Sequence, residues 1–154
     1  MGKNTLFCLL SIAAFALLAA SNVFALEINL DAIKSIESSN NPLAYNAKTR
    51  CFGFYQISKI CLQDYNDFHN TDYQAKDLFF PILNKKIAVW YFKRIEQMLG
   101  SYTIPITMVT VLASYNWGIG NVARWHAGGG AFKNLPKMTQ AYIRKYKTIT
   151  PNGK

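Results

Sequence analysis

Residues 106–115 constrain the fold most, because their side chains are apolar on nearly every side of a helix. Such a helix has no face for water and must be surrounded by other elements. Pro105 suits its first turn. Residues 84–99 carry the longest amphipathic pattern, and Gly100 is expected to end that helix. The sequence therefore predicts a central helix packed against a long amphipathic one.

The remaining patterns are mostly helical as well. Ser58 suits the N-cap of a helix over residues 59–64, and residues 139–147 favour a final helix. The glycines at 118, 120 and 128–130 are typical of turns. Only residues 52–57 favour an extended chain, which Gly53 interrupts. We expect a mainly α domain of the α+β class with a small β element.

Residues 1–25 have the features of a secretory signal peptide. Lys3 supplies positive charge, residues 6–18 form an apolar run, and Val23 and Ala25 are small residues where a signal peptidase reads. The sequence predicts cleavage after Ala25 and export to the periplasm or the medium. An uncleaved N-terminal anchor is the alternative, although the run is short for a span of about 20 residues.

Residues 26–154 are then enough for one domain with its own core, and we expect a monomer. The full chain carries a net charge of +9. A basic exported protein suits an anionic polymer such as bacterial cell wall or nucleic acid. The basic residues are scattered, however, and a lone Arg124–Trp125 pair is thin support for stacking on bases. We therefore do not predict nucleic acid as a partner.

Two cysteines remain after the leader, Cys51 and Cys61. An even number in an oxidising compartment suggests a disulfide across residues 53–57. Two reduced, buried thiols are the alternative, and the residues alone leave the choice open.

Glu37 is the most informative single residue. One helical face carries four residues spaced 4, 3 and 4 apart: Leu26, Leu30, Ile33 and Glu37. Pro42 disfavours helix before it, so the helix should end soon after Glu37, beside a polar turn. Partial burial raises the pKa of a carboxyl and makes a general acid that keeps its proton near neutral pH. A surface glutamate at a frayed helix end is the alternative.

Several short blocks of sequence occur in a definite order. They are residues 37–44, 53–57, 78–84, 113–120, 135–136 and 139–142. In this order they resemble the soluble lytic transglycosylase domain, a relative of goose-type lysozyme, and especially its small single-domain type. The resemblance covers almost the whole chain after the leader. It implies a lysozyme-like fold, peptidoglycan glycan strands as partner, and an association with a secretion, pilus or conjugation apparatus.

The resemblance also implies a chemistry, in which one glutamate, Glu37, cleaves the MurNAc-β-1,4-GlcNAc bond. The glutamate acts first as acid and then as base, and the 6-hydroxyl of the muramic acid closes a 1,6-anhydro ring. Most glycosidases use two carboxylates, but the acids that follow lie outside the matching blocks: Asp64, Asp67, Asp72, Asp77 and Glu96. The alternatives are a hydrolytic muramidase on the same bond and a non-catalytic, basic wall-binding module of a secretion apparatus.

Five further residues receive substrate-binding roles from the resemblance. Gln56 is implied to bond the N-acetyl group, Tyr115 and Asn116 to line the cleft, and Tyr142 to reach the glutamate. Ser38 is implied to bond a substrate carbonyl or to cap the helix. The alternatives are a solvent-facing Gln56, a core Tyr115, a helix-capping Asn116 and simple packing of Tyr142.

Two segments depart from the usual family pattern. Phe54-Tyr55 stands where Leu-Met is usual, and Trp117-Gly118-Ile119-Gly120 where Ala-Gly-Pro-Gly is usual. We expect both changes to bring larger side chains near the cleft, which leaves the subsite preference open. His69 and His126 lack partners at metal-binding spacing, so neither a metal nor a cofactor is predicted.

Overall fold

The computed structural model describes residues 26–151, so the signal-peptide prediction for residues 1–25 lies outside the described part. Six α-helices form most of it: α1 Leu30–Ser38, α2 Lys59–His69, α3 Pro81–Ser101, α4 Met108–Trp117, α5 Ile119–Ala127 and α6 Lys137–Ile149. Two short 3-10 helices span Ala75–Phe79 and Phe132–Asn134. No helix within residues 26–151 is long and apolar enough to cross a membrane.

Helix α4 lies at the centre of the molecule, as its apolar sequence predicts. Residues 111–113 are fully buried, and the helix packs against α3, α5 and α6. It begins later than expected because Thr107 caps it. The Thr107 hydroxyl accepts a hydrogen bond from Thr110 N at 3.2 Å, and Thr107 N donates to the Thr110 hydroxyl at 2.9 Å. Pro105 therefore precedes the helix and is not part of its first turn.

Helix α3 is the predicted amphipathic helix, extended at both ends. Pro81 occupies its first position, where a missing N–H leaves no hydrogen bond unmade. Gly100 does not end the helix, which runs through Ser101. The chain turns at Thr103, whose φ is 54° and whose N–H donates to Gly100 O at 2.9 Å.

The sequence does not predict helix α5, because Gly118 and Gly120 are both typical of turns. Gly118 does turn the chain, with φ at 92° between α4 and α5. Gly120 lies inside α5, where burial of Val122 outweighs the weak helix propensity of glycine. The predicted helices 59–64 and 139–147 are present and longer, as α2 and α6, and Ser58 is the N-cap of α2.

The β element is a small antiparallel sheet in the order β1 Tyr45–Asn46, β2 Cys51–Phe52 and β3 Ile57–Ser58. Tyr45 pairs with Phe52, and Cys51 pairs with Ser58. The predicted extended segment is thus two strands joined by a turn over residues 53–56, and β1 was missed. The predicted class, mainly α with a small β element, is confirmed.

Candidate active site

A cleft of about 590 Å³ lies between the end of α1, the sheet, the end of α4 and the start of α6. Its wall contains fifteen residues: Glu37, Asn46, Thr49, Cys51, Gln56, Ile57, Ser58, Cys61, Tyr91, Tyr115, Asn116, Trp117, Pro136, Met138 and Thr139. Sequence elements far apart in the chain therefore meet here. Four of the six residues that the resemblance singles out, Glu37, Gln56, Tyr115 and Asn116, are among them.

Glu37 lies in the last turn of α1, as the sequence predicts. The helix ends at Ser38, and Ser39 adopts a left-handed conformation with its N–H on the Lys34 and Ser35 carbonyls. Ile33 on the same face is fully buried. The predicted stripe is shorter than expected, however. Asn29 caps the helix, so Leu26 lies before it.

Burial raises the pKa of Glu37 from 4.5 to about 7. Desolvation is the largest cause, and the Tyr142 hydroxyl and the charge of Lys145 each oppose it. A carboxyl with this pKa is about half protonated at neutral pH. It can therefore give up a proton as an acid and take one back as a base at the same pH.

Tyr142 lies on α6, behind the cleft wall, and is almost fully buried. Its hydroxyl is near enough to lower the pKa of Glu37, and the carboxyl in turn raises the pKa of Tyr142. Within residues 26–151 this hydroxyl is nevertheless the one buried side-chain polar atom without a hydrogen-bond partner of good geometry. Tyr142 thus packs beside the acid, with its O–H free to donate when the carboxylate forms.

Gln56 has a positive φ of 48° at the end of the turn before β3. Its Nε2 donates to Gly53 O at 3.0 Å and to Ala44 O at 3.3 Å. Both amide hydrogens are therefore used by the backbone, and Oε1 remains to accept from a ligand. The side chain lines the cleft and is not the solvent-facing glutamine of the alternative interpretation.

Tyr115 and Asn116 end the central helix at the cleft. The Tyr115 hydroxyl donates to Tyr55 O at 2.6 Å, and its ring stacks on Phe92 with centroids 4.4 Å apart. Asn116 Oδ1 accepts from the Thr139 hydroxyl at 3.0 Å, so its Nδ2 remains available as a donor. Asn116 does not cap α4, which continues to Trp117.

Ser38, like Tyr142, is a predicted site residue that does not line the cleft. Its hydroxyl donates to Lys34 O, one turn earlier in α1, at 3.0 Å. This geometry favours the helix-end role over contact with substrate, because the hydroxyl hydrogen is already used.

The other acids of the described chain, including Glu27 and Asp31, lie outside the cleft wall. None of Asp64, Asp67, Asp72, Asp77 and Glu96 is in its wall, and Asp77 accepts from Gln74 N at 2.7 Å in a capping box. Glu37 is thus the one carboxyl that lines the cleft within the described chain. Residues 26–151 also contain no group of three metal-ligating side chains.

The two cysteines are free thiols in this structure, so the disulfide considered above is not formed in it. Both line the cleft. Cys51 Sγ donates weakly to Thr49 O at 3.6 Å, and burial raises the pKa of both thiols.

The unusual segments contribute unequally to the cleft. Trp117 lines it, as expected, together with Met138. Phe54 and Tyr55 do not, because Tyr55 is buried in the core and Phe54 packs under the Lys34 ammonium, 5.4 Å from the ring centroid. Sequence reasoning also missed Asn46 and Thr49. Asn46 ends β1, a strand too short to recognise from sequence, and Thr49 lies in the polar stretch that follows it.

Comparison with known proteins places the chain in a family. The model of the transglycosylase SLT domain matches residues 22–136. No curated protein matches the chain.

A solved structure supports the fold. The crystal structure of the 70 kDa soluble lytic transglycosylase SLT70 from Escherichia coli is similar, with a TM-score of 0.67 at 20% sequence identity. The similarity covers 83% of this chain and 23% of that enzyme, so the chain spans about a quarter of its length. At this identity the similarity establishes the fold, and the predicted lysozyme-like architecture is confirmed. Because the family model covers most of the chain, the protein belongs to the transglycosylase SLT domain family.

Proposed function

We propose that the protein is a peptidoglycan lytic transglycosylase that cleaves the MurNAc-β-1,4-GlcNAc bond and leaves a 1,6-anhydroMurNAc end. The observation that carries the proposal is Glu37. It is the single carboxyl in the described cleft wall, and burial raises its pKa to about 7. Membership of the SLT family and the similarity to SLT70 support the same activity.

In the first step Glu37 donates its proton to the glycosidic oxygen as the bond to the muramic acid C1 breaks. The positive charge that develops on the oxocarbenium ion must then be stabilised by the substrate itself, since no second carboxyl of the described chain lines the cleft. The substrate's own N-acetyl carbonyl can provide this stabilisation. Gln56 Oε1 can accept from the N–H of that group and thereby hold the carbonyl toward C1.

In the second step the Glu37 carboxylate takes the proton of the muramic acid 6-hydroxyl as O6 attacks C1. The glutamate is returned to its starting form, and no water is consumed. A well-oriented internal nucleophile has an effective molarity of roughly 10⁵ M or more, against ~55 M for bulk water. Ring closure is therefore expected to prevail over hydrolysis.

The two other functions make different demands on the cleft. A hydrolytic muramidase would use the same glutamate but would have to hold a water against C1. A non-catalytic wall-binding module has no need of a carboxyl whose burial destabilises the fold when it ionises. The raised pKa of Glu37 therefore favours an enzyme over a binding module.

The mass of the products distinguishes the two enzymes. Purified cell wall digested with the protein should release muropeptides ending in 1,6-anhydroMurNAc, which are lighter by one water than reducing-end products. Liquid chromatography with mass spectrometry measures this directly. Reducing-end muramic acid as the main product would instead identify a muramidase.

The proposal extends to location and partners. An enzyme that acts on the wall must reach it, and the leader pattern of residues 1–25 with the net charge of +9 fits export toward an anionic polymer. The N-terminus of the exported protein is expected at Leu26. We also propose that the protein acts as a monomer and associates with a secretion, pilus or conjugation apparatus. The association rests on the family resemblance alone.

A further inference from the structure

Asn84 is a fully buried polar residue in the first turn of α3 that does not line the cleft. Its side chain makes three hydrogen bonds. Nδ2 donates to Leu78 O at 2.8 Å and to Phe52 O at 2.9 Å, and Oδ1 accepts from Tyr55 N at 2.9 Å. Every amide hydrogen is used, and each partner is a backbone group.

These bonds hold the turn over residues 53–56, which joins β2 to β3. Gly53 has a φ of 73° and lies directly against the Asn84 amide. A Cβ at Gly53 would stand 2.5 Å from Asn84 Nδ2 and closer still to Leu78 O, nearer than real Cβ atoms approach. The turn and the amide therefore fit together only without a side chain at this position.

The same turn carries two connections to the cleft. The Tyr55 carbonyl accepts from the Tyr115 hydroxyl at 2.6 Å, so the Tyr55 N–H is held by Asn84 and the Tyr55 C=O by a cleft residue. Gln56, the next residue, has φ at 48°, and its Nε2 donates to Gly53 O. A shift of the turn would move both Gln56 and Tyr115.

We propose that Asn84 is a positioning residue for the cleft. It fixes the 53–56 turn and, through it, the Gln56 carbonyl oxygen and the Tyr115 ring that face a bound glycan. The inference rests on the proposed function for its substrate. It adds to that function a residue outside the cleft wall, which acts on the glycan only through the 53–56 turn.

The backbone groups around position 84 explain why asparagine suits this position. Two carbonyl oxygens and one N–H converge on one side chain, which must offer two donors and one acceptor within a short reach. Aspartate has the same shape, but the carboxylate oxygen in the place of Nδ2 would face the Phe52 and Leu78 carbonyls with no hydrogen to donate. Leucine would remove the Asn84 hydrogen bond from each of the three backbone groups.

The test compares Asn84→Asp with wild type, and Gly53→Ala is a second way to displace the turn. Gly100→Ala is the matched control, because nothing lies within 4 Å of a Cβ there and the residue is helical. If Asn84→Asp does not fold, Asn84→Ser, which keeps one hydroxyl donor, takes its place. Each variant is assayed well below its melting temperature, so that loss of folded protein does not enter the rate.

Two measurements are made on each folded variant. The first is kcat/KM on soluble, uncrosslinked glycan strands, expected to fall about 10-fold to 100-fold for a sub-ångström to ångström displacement of a contact. The second is the ¹⁵N–¹H spectrum of the Gln56 side-chain amide, expected to shift in Asn84→Asp and Gly53→Ala but not in Gly100→Ala. Adding Gln56→Ala to Asn84→Asp should lower kcat/KM by a much smaller factor than Gln56→Ala does in wild type, because both substitutions act on one contact with the glycan.

The outcomes separate the inference from the proposed function. If wild type leaves the strands uncut, the proposed function fails and the Gln56 resonances alone decide the inference. If wild type cuts them, a folded Asn84→Asp with wild-type kcat/KM overturns the inference. Unchanged Gln56 resonances in that variant overturn it in either case.

Discussion

At the scale of the residue, the burial that raises the pKa of Glu37 also makes this side chain a weak point of the fold. Its pKa is raised from 4.5 to about 7 chiefly by desolvation, which Tyr142 and Lys145 offset only in part. The ionised form is therefore disfavoured in the folded protein relative to the unfolded chain. Under the proposed function, catalysis and stability make opposite demands on this side chain.

Replacing Glu37 by glutamine should stabilise the protein above neutral pH and leave its stability unchanged in acid. Below about pH 4.5 the Glu37 carboxyl is protonated in both the folded and the unfolded state, so its ionisation does not change the free energy of unfolding. As the pH rises toward 7 the unfolded chain ionises first, so wild type loses stability, and above about pH 7 the deficit is constant at about 3 kcal/mol.

Chemical denaturation of wild type and Glu37→Gln at pH 4 and pH 8 measures this. Glu96→Gln on α3 is the matched control, since Glu96 does not line the cleft. A Glu37→Gln variant that is less stable than wild type at pH 8 would contradict the raised pKa.

The sequence predicts the position of Glu37 because an apolar stripe and Pro42 are both local signals. It does not predict which polar atoms of the site stay free. Gln56 gives both amide hydrogens to Gly53 and Ala44, and Asn84 reaches across 29 residues to Tyr55. Such choices depend on a turn geometry that only the folded chain defines.

At the scale of the element, propensity and periodicity predict the helices whose burial is one-sided or complete. They fail where the helix is short and contains glycine, as in α5, and where a strand has two residues, as in β1. Each two-residue strand is held by its neighbours and by the turn over residues 53–56, so no local pattern marks it. Two helix ends also differ from prediction. Helix α4 begins after Thr107 and not at Pro105, and the chain turns after α3 at Thr103 and not at Gly100.

Two glycines near the α4–α5 junction should respond oppositely to alanine. Gly120 is helical with open space around it, so Gly120→Ala should stabilise by about 0.5–1 kcal/mol. Gly118 has φ at 92°, which alanine rarely adopts, so Gly118→Ala should destabilise by about 1 kcal/mol or more. Thermal unfolding of the two variants tests the element boundary, and equal shifts of the same sign would contradict it.

At the scale of the whole molecule, the cleft exists because three separate parts of the chain meet. Helix α1 brings Glu37, the sheet with its 53–56 turn and the start of α2 bring Gln56 and the two cysteines, and α4 with α6 brings the opposite wall. The Glu37 carboxyl is therefore desolvated by neighbours distant in sequence, and its pKa is a property of the assembled domain.

The two cysteines lie on neighbouring elements, Cys51 on β2 and Cys61 on α2. Cys51 pairs in register with Ser58, which caps α2 one turn before Cys61. We predict that an oxidising compartment converts the two free thiols into a disulfide, which would stabilise by roughly 2–3 kcal/mol for a loop of about ten residues. Thiol labelling of exported protein without reductant should find no free cysteine, and two labelled cysteines would refute the bond.

The most direct test of the central claim is the rate of wall cleavage by Glu37→Gln. If Glu37 is the only acid and base, this variant should lose at least the ~10²–10⁴-fold that general acid–base catalysis supplies, while it still binds the wall. Glu96→Gln and Asp64→Asn, outside the cleft, should stay within a few-fold of wild type. A Glu37→Gln variant that cleaves the wall at the wild-type rate would contradict the whole account.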